Sequence, residues 1–193
     1  MIIFLGIAGS GKGTQAALLA KRTGWPALSS GEVLRRNMSD PGIKARLDAG
    51  QLVSDEELFP LLEAEFNKIG ASQNEFILDG TPRNVNQSRW LVQKIKTGQL
   101  KLTAIIHIKL SRQSALKRLQ LRSRHDDKRS AIAGRFKFYE QSVIPAIRYF
   151  EKKGCKVDEV DGEGSPEEVE TSIRKVLEKK MKIEPTLGSV DAG

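Results

Sequence analysis

The sequence predicts an α/β fold, a doubly wound five-stranded parallel sheet flanked by helices. Three observations favour this fold: short apolar runs alternate with helical patterns, polar or glycine-rich turns follow the runs, and 193 residues suit one substantial core rather than two. In such a sheet ligands bind beyond the carboxyl ends of the strands. The turns that follow the strands are therefore the candidate site.

The five predicted strands are short, and the first four are mainly apolar. They cover residues 2–5, 26–28, 75–78, 104–108 and 155–160. The fourth run has β-branched residues on both faces, as expected of a central parallel strand. His107 within it has no metal-ligand company and, like the single cysteine, Cys155, is predicted to be structural.

Helical patterns fill the intervals between the strands. They span about residues 15–22, 31–38, 54–68, 85–96, 115–123 and 126–150, with a short helix ending at Gly50 and a last helix after residue 165. Ser54 and Ser165, each followed three residues later by Glu, predict capping boxes. Residues 1–183 are predicted to form one domain, and residues 184–193, which lack periodicity, a flexible tail.

Composition limits the class of protein. The net charge of +8 and a pI near 9.6 indicate affinity for polyanions, which include nucleic acids, acidic surfaces and nucleotides. One cysteine excludes an internal disulfide, and no apolar run approaches the roughly 20 residues that span a bilayer. We expect a cytoplasmic protein without a membrane partner.

Residues 6–14, Gly-Ile-Ala-Gly-Ser-Gly-Lys-Gly-Thr, lie directly behind the first strand. Four glycines in nine positions predict a loop, and G-x-x-x-x-G-K between a strand and a helix is the phosphate-loop pattern. Its N–H groups and the helix N-terminus would face an anion, with Lys12 reaching the outer phosphates. The alternative is a plain glycine-rich turn with a solvated lysine.

Gly13 stands where the general pattern has a Ser or Thr that touches Mg²⁺, and the hydroxyl comes one residue later, at Thr14. A loop ending Gly-Lys-Gly-Thr-Gln resembles that of adenylate kinases and related nucleoside monophosphate kinases, in which the metal is held mostly through water. The resemblance implies a P-loop fold with Mg²⁺ and ATP as ligands. The implied ATP contacts in the loop are Gly9, Ser10, Gly11, Lys12, Gly13 and Thr14.

The Asp79-Gly80-Thr81-Pro82-Arg83 turn ends the third strand. An acid beside the phosphate loop can hold the water shell of Mg²⁺, and the arginine can fork onto a phosphate. Asp79 could also be a mere helix cap. The turn resembles the family's Asp-Gly-aromatic-Pro-Arg, with Thr81 in place of the aromatic residue.

The turn after the second strand resembles the family's acceptor-nucleotide motif. The resemblance implies that Ser30 faces the acceptor base and Arg35 holds its phosphate, within a small helical lobe at residues 30–54. The alternative is a capping box at residues 29–32 with a solvated Arg35. By the same resemblance Gln87 reads the adenine edge, and the acceptor set is Ser30, Arg35, Val53, Gly80, Arg83, Gln87, Arg124 and Arg135.

Four further arginines belong to the predicted cover of the site. Arg118 and Arg122 share one helix face, Arg124 follows, and Arg135 lies on the next helix. Without the phosphate loop they would suggest only a solvated cationic face. The family resemblance implies that Arg118 stacks on the donor adenine with Arg122 also binding ATP, and that residues 122–127 form a minimal lid, since Ser123 alone separates two of its arginines.

The resemblance implies reversible phosphoryl transfer, ATP + AMP = 2 ADP, by a monomer whose partners are nucleotides and not nucleic acid. The implied catalytic residues are Lys12, Arg83, Arg122, Arg124 and Arg135, with Asp79 contacting the metal through water. A UMP/CMP kinase of the same fold is an alternative, because Ser30 and Asn84 also resemble that group, although Gln87 favours AMP. A regulatory P-loop NTPase is more remote, since the Asn-Lys-x-Asp base-recognition motif of GTPases is missing.

Overall fold

A computed structural model describes residues 1–39, 41–48, 53–122 and 129–181, and the side chains at 45–48, 122 and 129–131 lie outside this description. Its described strands form one parallel sheet in the order β2-β3-β1-β4-β5. This confirms the predicted doubly wound sheet. The strands are β1 (Ile2–Gly6), β2 (Ala27–Ser29), β3 (Ile77–Asp79), β4 (Ala104–Lys109) and β5 (Val157–Asp161).

Helices cover both faces of the sheet. The described helices are α1 (Lys12–Thr23), α2 (Ser30–Arg36), α3 (Pro41–Asp48), α4 (Asp55–Lys68), α5 (Val85–Lys96), α6 (Arg112–Arg122), α7 (Arg129–Phe138), α8 (Ile144–Lys152) and α9 (Pro166–Met181). None of the helices in these ranges is both long and apolar enough to cross a bilayer.

Side chains of β1 supply the centre of two cores, one on each face. Ile3 and Leu5 pack with α4, α5 and α8, while Ile2 and Phe4 pack with α1 and α9. Both sets are buried, which is why the strand is a continuous apolar run and does not alternate. Burying β1 on both faces fixes the position of the loop at its carboxyl end.

Both predicted capping boxes are confirmed. Ser54 Oγ accepts from the Glu57 N–H at 3.3 Å and Glu57 Oε2 accepts from the Ser54 N–H at 3.2 Å. Ser165 and Glu168 make the same reciprocal pair at the start of α9, at 3.3 and 2.7 Å. Each pair satisfies two N–H groups that the helix leaves unbonded.

The predicted long helix over residues 126–150 is helical throughout its described part, from residue 129 onward, but it is not a regular α-helix. A π-helical turn, Tyr139–Val143, separates α7 from α8. Pro145 accounts for the break, because it has no N–H to donate to the carbonyl four residues earlier and so interrupts a regular α-helix. The apolar positions Ile132, Val143, Ile147 and Phe150 are nevertheless buried, as their spacing predicts.

Two strands begin two residues later than predicted, and the other described boundaries differ by at most one residue. β3 begins at Ile77, two residues later than predicted, and β5 runs from Val157 to Asp161. Asp79 and Asp161 are polar but pair in register with the neighbouring strands, so apolar runs alone place these ends too early. The predicted tail at 184–193 lies outside the described residues.

Candidate active site

Glycines at the carboxyl end of β1 let the loop pass close to its neighbours. A Cβ at Gly6, where φ is +152°, would lie 2.6 Å from the Ile108 carbonyl oxygen, and one at Gly9, where φ is +87°, would lie 2.9 Å from that of Ala115. Neither separation is possible for a larger residue without movement. The loop therefore requires glycine at both positions, and it leads directly into the N-terminus of α1.

Lys12 folds back over this loop. Its ammonium group donates to the carbonyl oxygens of Gly6 at 2.8 Å and Ile7 at 3.0 Å. The hydroxyl of Ser10 is buried and has no hydrogen-bond partner among the described residues. An unmet hydroxyl beside N-terminal N–H groups suits a ligand that carries acceptor oxygens.

Asp79 lies at the carboxyl end of β3, the strand next to β1, and pairs in register with Phe4. Its Oδ2 would be 3.6 Å from a Cβ built on Gly13, so the carboxylate faces the first turn of α1. Its Oδ1 is buried and has no partner within the described ranges. Burying a carboxylate oxygen without a hydrogen bond is costly, so the position suits a hydrated cation.

Direct ligation of a metal ion would require several ligating side chains close together. The described parts of the chain contain no group of three or more His, Cys, Asp or Glu side chains that could hold a metal ion. A single buried carboxylate such as Asp79 therefore suits a cation held through its water shell.

Arg83 is half-buried beside this acid, and its Nε donates to the Gly80 carbonyl oxygen at 2.8 Å. Burial lowers the pKa of the Arg83 guanidinium, the charge of Asp79 raises it, and the charges of Arg135 and Arg35 lower it. Three arginines and one acid therefore share a single space at the carboxyl edge of the sheet. Like charges gathered in this way favour a polyanionic ligand.

A pocket of about 210 Å³ opens next to these arginines. Four residues of the predicted acceptor set, Ser30, Val53, Arg83 and Gln87, line it. The other lining residues are Leu34, Ser54, Asp55, Leu58 and Asn84. The N-cap residue of α2, Ser29, makes no side-chain capping bond, so the alternative of a capping box at residues 29–32 is wrong.

Asp55 is a lining residue that the sequence did not single out. It is the first residue of α4, and its carboxylate accepts hydrogen bonds from the side-chain amides of Asn84, Asn86 and Gln87. In the sequence it ends a segment, residues 50–55, that resembles the family's lining of the acceptor base, but the residues themselves indicated only the end of one helix and the start of the next. An acid next to a pocket-lining segment was the one available signal.

Arg118 lies on the other side of the phosphate loop. Its Nη2 donates to the carbonyl oxygens of Glu163 and Gly164, both at 3.1 Å. Glu163 Oε1 in turn accepts from the N–H of Ser111 at 2.8 Å, just before α6. These bonds bring the arginine and the loop after β5 together, next to the start of α9.

Several predicted residues cannot be placed. Arg124 and most of the predicted lid, residues 123–127, lie outside the described residues, as do residues 40 and 49–52 of the predicted acceptor lobe. Arg122 ends α6, but its side chain is not described.

Neither of the two residues predicted to be structural is exposed. His107 is buried, and its Nε2 lies 2.6 Å from the Tyr139 hydroxyl. Cys155 is partly buried against the core, and burial raises the pKa of its thiol.

The fold and the site define a P-loop α/β protein with a pocket beside the loop. A family model described as "Adenylate kinase" matches residues 4–155. Adenylate kinase of Corynebacterium urealyticum is 34% identical over 183 residues, 92% of this chain and 99% of the relative. Adenylate kinase of Prochlorococcus marinus is 36% identical over 181 residues, 91% and 97% of the two chains. The chain belongs to the adenylate kinase family, whose members are phosphotransferases.

Proposed function

We propose that this chain transfers the γ-phosphoryl group of ATP to AMP, and that the reaction is reversible. The observation that carries the proposal is the pocket beside the phosphate loop, because Arg83 and Gln87 both line it. The lining thus offers a cation for a phosphate and an amide for a base edge.

The described cations suit the chemistry of this transfer. An acceptor phosphate oxygen is already anionic, so it needs no strong general base, and the reaction depends on positioning and charge compensation along an in-line path. Lys12 is proposed to bind the outer phosphates of ATP. Arg83 and Arg135 would contact the transferring group and its acceptor, and Arg35 would hold the acceptor phosphate.

The metal has a defined place in the proposal. Mg²⁺ bound with ATP would neutralise charge on the phosphates during transfer. Asp79 is proposed to hold its water shell, and Thr14, at the start of α1, is proposed to bind ATP. The buried, unpartnered Oδ1 of Asp79 supports this assignment.

The donor base is proposed to bind near Arg118 and the loop formed by residues 162–165. The two bonds from Arg118 to that loop hold its guanidinium plane beside the phosphate loop, where an adenine could stack on it. Arg122 and Arg124 would complete the charge compensation when the short lid at residues 122–127 closes. We further propose a cytoplasmic monomer whose partners are nucleotides, without nucleic acid or membrane partners.

The test is a coupled assay with ATP and a panel of acceptors. We expect kcat/KM to be greatest for AMP, because the pocket offers Gln87 to an adenine edge, with GMP, CMP and UMP much slower. Faster turnover of CMP or UMP would replace the proposal with a pyrimidine monophosphate kinase. Hydrolysis of ATP without transfer to any acceptor would contradict both.

A further inference from the structure

Asp55 joins the first turns of α4 and α5 through one carboxylate. Its oxygens accept from Asn84 Nδ2 at 3.2 Å, from Asn86 Nδ2 at 3.0 Å and from Gln87 Nε2 at 2.8 Å. Asn84 is the N-cap of α5, and its Oδ1 accepts from the Gln87 N–H at 2.8 Å. The three amides and the acid thus form one network at the edge of the acceptor pocket.

The amide of Gln87 is held at both of its ends. While Nε2 donates to Asp55, Oε1 accepts from the Arg83 backbone N–H at 2.7 Å. The residue is only 4% exposed, yet it lines the acceptor pocket. Little of its side chain is left to solvent, and the part that is accessible faces the place of the acceptor base.

These two partners allow one orientation of the amide. A carboxylate only accepts hydrogen bonds, and a backbone N–H only donates them. Turning the amide over would set its oxygen against the Asp55 carboxylate and its NH₂ group against the Arg83 N–H. Both bonds would be lost, and two repulsive contacts would replace them.

We propose that Asp55 is a positioning residue that selects the acceptor base by fixing this orientation. Gln87 retains one N–H and one carbonyl lone pair, and it presents them to the pocket in a set order. Adenine matches that order, because its 6-amino group donates and its N1 accepts. Hypoxanthine has the reverse order, since O6 accepts and N1–H donates. The inference rests on the proposed function, and it assigns the preference for 6-amino over 6-oxo purines to Asp55.

The orientation of the Gln87 amide discriminates between bases by their order of donor and acceptor, and not by the size of the ring. Cytosine presents an amino donor beside a ring-nitrogen acceptor, as adenine does, whereas uracil presents the reverse order, as hypoxanthine does. A fixed amide therefore rejects IMP relative to AMP and UMP relative to CMP, whichever ring the pocket prefers. Ring size must be selected by other lining residues.

The experiment measures kcat/KM for AMP, IMP, CMP and UMP in the full chain, with saturating ATP. Replacement of Asp55 by alanine removes the acceptor of the Gln87 Nε2 group, so that only the bond from the Arg83 N–H still opposes turning the amide over. We expect the AMP-to-IMP ratio to fall about tenfold or more, the effect of losing one discriminating hydrogen-bond arrangement. The CMP-to-UMP ratio should fall in parallel.

Two control variants test whether the effect is specific to the Gln87 contact. Asn86→Ala removes another donor to the same carboxylate, and Glu56→Ala removes the exposed acid next to Asp55 on α4. Both should keep the wild-type ratios. Gln87→Ala should lower the ratios itself, and Asp55→Ala in that background should lower them no further, since the two residues act through one contact.

The outcomes separate the inference from the proposed function. If Asp55→Ala lowers the rates for AMP and IMP in equal proportion, Asp55 only supports the fold and the inference is wrong. If the ratios fall but CMP is the best acceptor, the inference holds and the proposed acceptor is wrong. An additive effect in the double variant would also contradict the inference.

Discussion

Arg83 combines a structural bond with a charge beside the acceptor pocket. Its Nε is bonded to the Gly80 carbonyl oxygen, and the guanidinium lines the acceptor pocket. The bond fixes the plane of the guanidinium, which is the geometry that a bidentate contact with phosphate requires. The neighbouring charges of Arg135 and Arg35 would be relieved when an anion binds.

We expect Arg83→Ala to lower kcat about 10³-fold, the lower range for an arginine that stabilises phosphoryl transfer. A cooperative unfolding transition should be retained, because the replacement removes one of several mutually repelling cations. Steady-state kinetics and urea unfolding measure the two effects.

Arg89→Ala is the matched control for Arg83, since Arg89 is exposed on α5 and its described partner is Asn86. It should leave kcat within about twofold, as expected of surface changes. Unchanged kcat in Arg83→Ala would remove that residue from the catalytic set.

The buried His107 should make stability depend on pH. Burial lowers its pKa below the ordinary 6.5, with the carboxylate of Glu159 opposing and the charges of Lys109 and Lys12 adding to the shift. The unfolded chain therefore binds more protons than the folded chain in the interval below pH 6.5. This contribution is complete above that pH and is lost as the pH falls toward the folded value.

We expect His107→Gln to lose less stability than the wild type between about pH 7.5 and pH 5.5, the interval in which a histidine titrates. Glutamine does not titrate but can still bond the Tyr139 hydroxyl. Thermal unfolding of both proteins at the two pH values measures the difference, because the other groups titrate alike in both. Equal losses would contradict the assignment.

Two helix glycines, Gly134 and Gly24, have equal space for a side chain but differ in backbone conformation. Gly134 lies within α7 and Gly24 is the C-cap of α1 with φ +72°, and a Cβ at either would meet no atom within 4 Å. Space is therefore equal at both positions, and backbone conformation alone should decide the effect of adding a methyl group.

We expect Gly134→Ala to raise the free energy of unfolding by about 0.5–1 kcal/mol, the difference between alanine and glycine inside a helix. Gly24→Ala should lower it by about 1–2 kcal/mol, because a left-handed conformation is unfavourable for alanine. Urea unfolding of both variants is the measurement. A change of the same sign in both would contradict this explanation.

Most helices and strands could be predicted from local patterns. The two capping boxes, α5 and β4 follow from residues close together in the chain, so the sequence alone locates them within a residue or so. The π-helical turn could not be predicted from the spacing of apolar residues. The apolar positions stay buried across it, so the spacing does not reveal that this turn contains one residue more than an α-helical turn. The available signal was Pro145, which has no backbone N–H and therefore indicates an irregular helical turn before it.

The site likewise contains one part that local sequence predicts and one part that only the packing of the helices creates. The phosphate loop is contiguous, and its glycines are needed where the backbone passes Ile108 and Ala115. The bond between Asp55 and Gln87 joins residues 32 positions apart on different helices. Only the packing of α4 beside α5 brings them together, and no local pattern predicts that contact.

At the scale of the molecule, the phosphate loop and the acceptor pocket lie at one edge of the same sheet. A ligand that spans both should stabilise the whole domain by mass action. We expect diadenosine pentaphosphate at a hundredfold excess over its Kd to add about 2.7 kcal/mol to the free energy of unfolding. At equal concentration, ATP or AMP alone should add less.

Thermal or urea unfolding with each ligand measures these increments. Arg83→Ala should reduce the increment from diadenosine pentaphosphate, whereas Arg89→Ala should not. If the bisubstrate compound stabilises no more than ATP does, the two sites are not bridged by one ligand.

The length of the π-helical turn at Tyr139–Val143 also fixes how α7 is rotated about its axis relative to α8. Each residue of an α-helix advances about 100°, so one residue more or less in this turn would rotate α7 by that angle about its axis relative to α8. Arg135 would then leave the group of charges around Arg83 and Asp79. The segment therefore acts as a spacer of fixed length, and a single-residue deletion there should cost far more activity than any substitution that keeps the count.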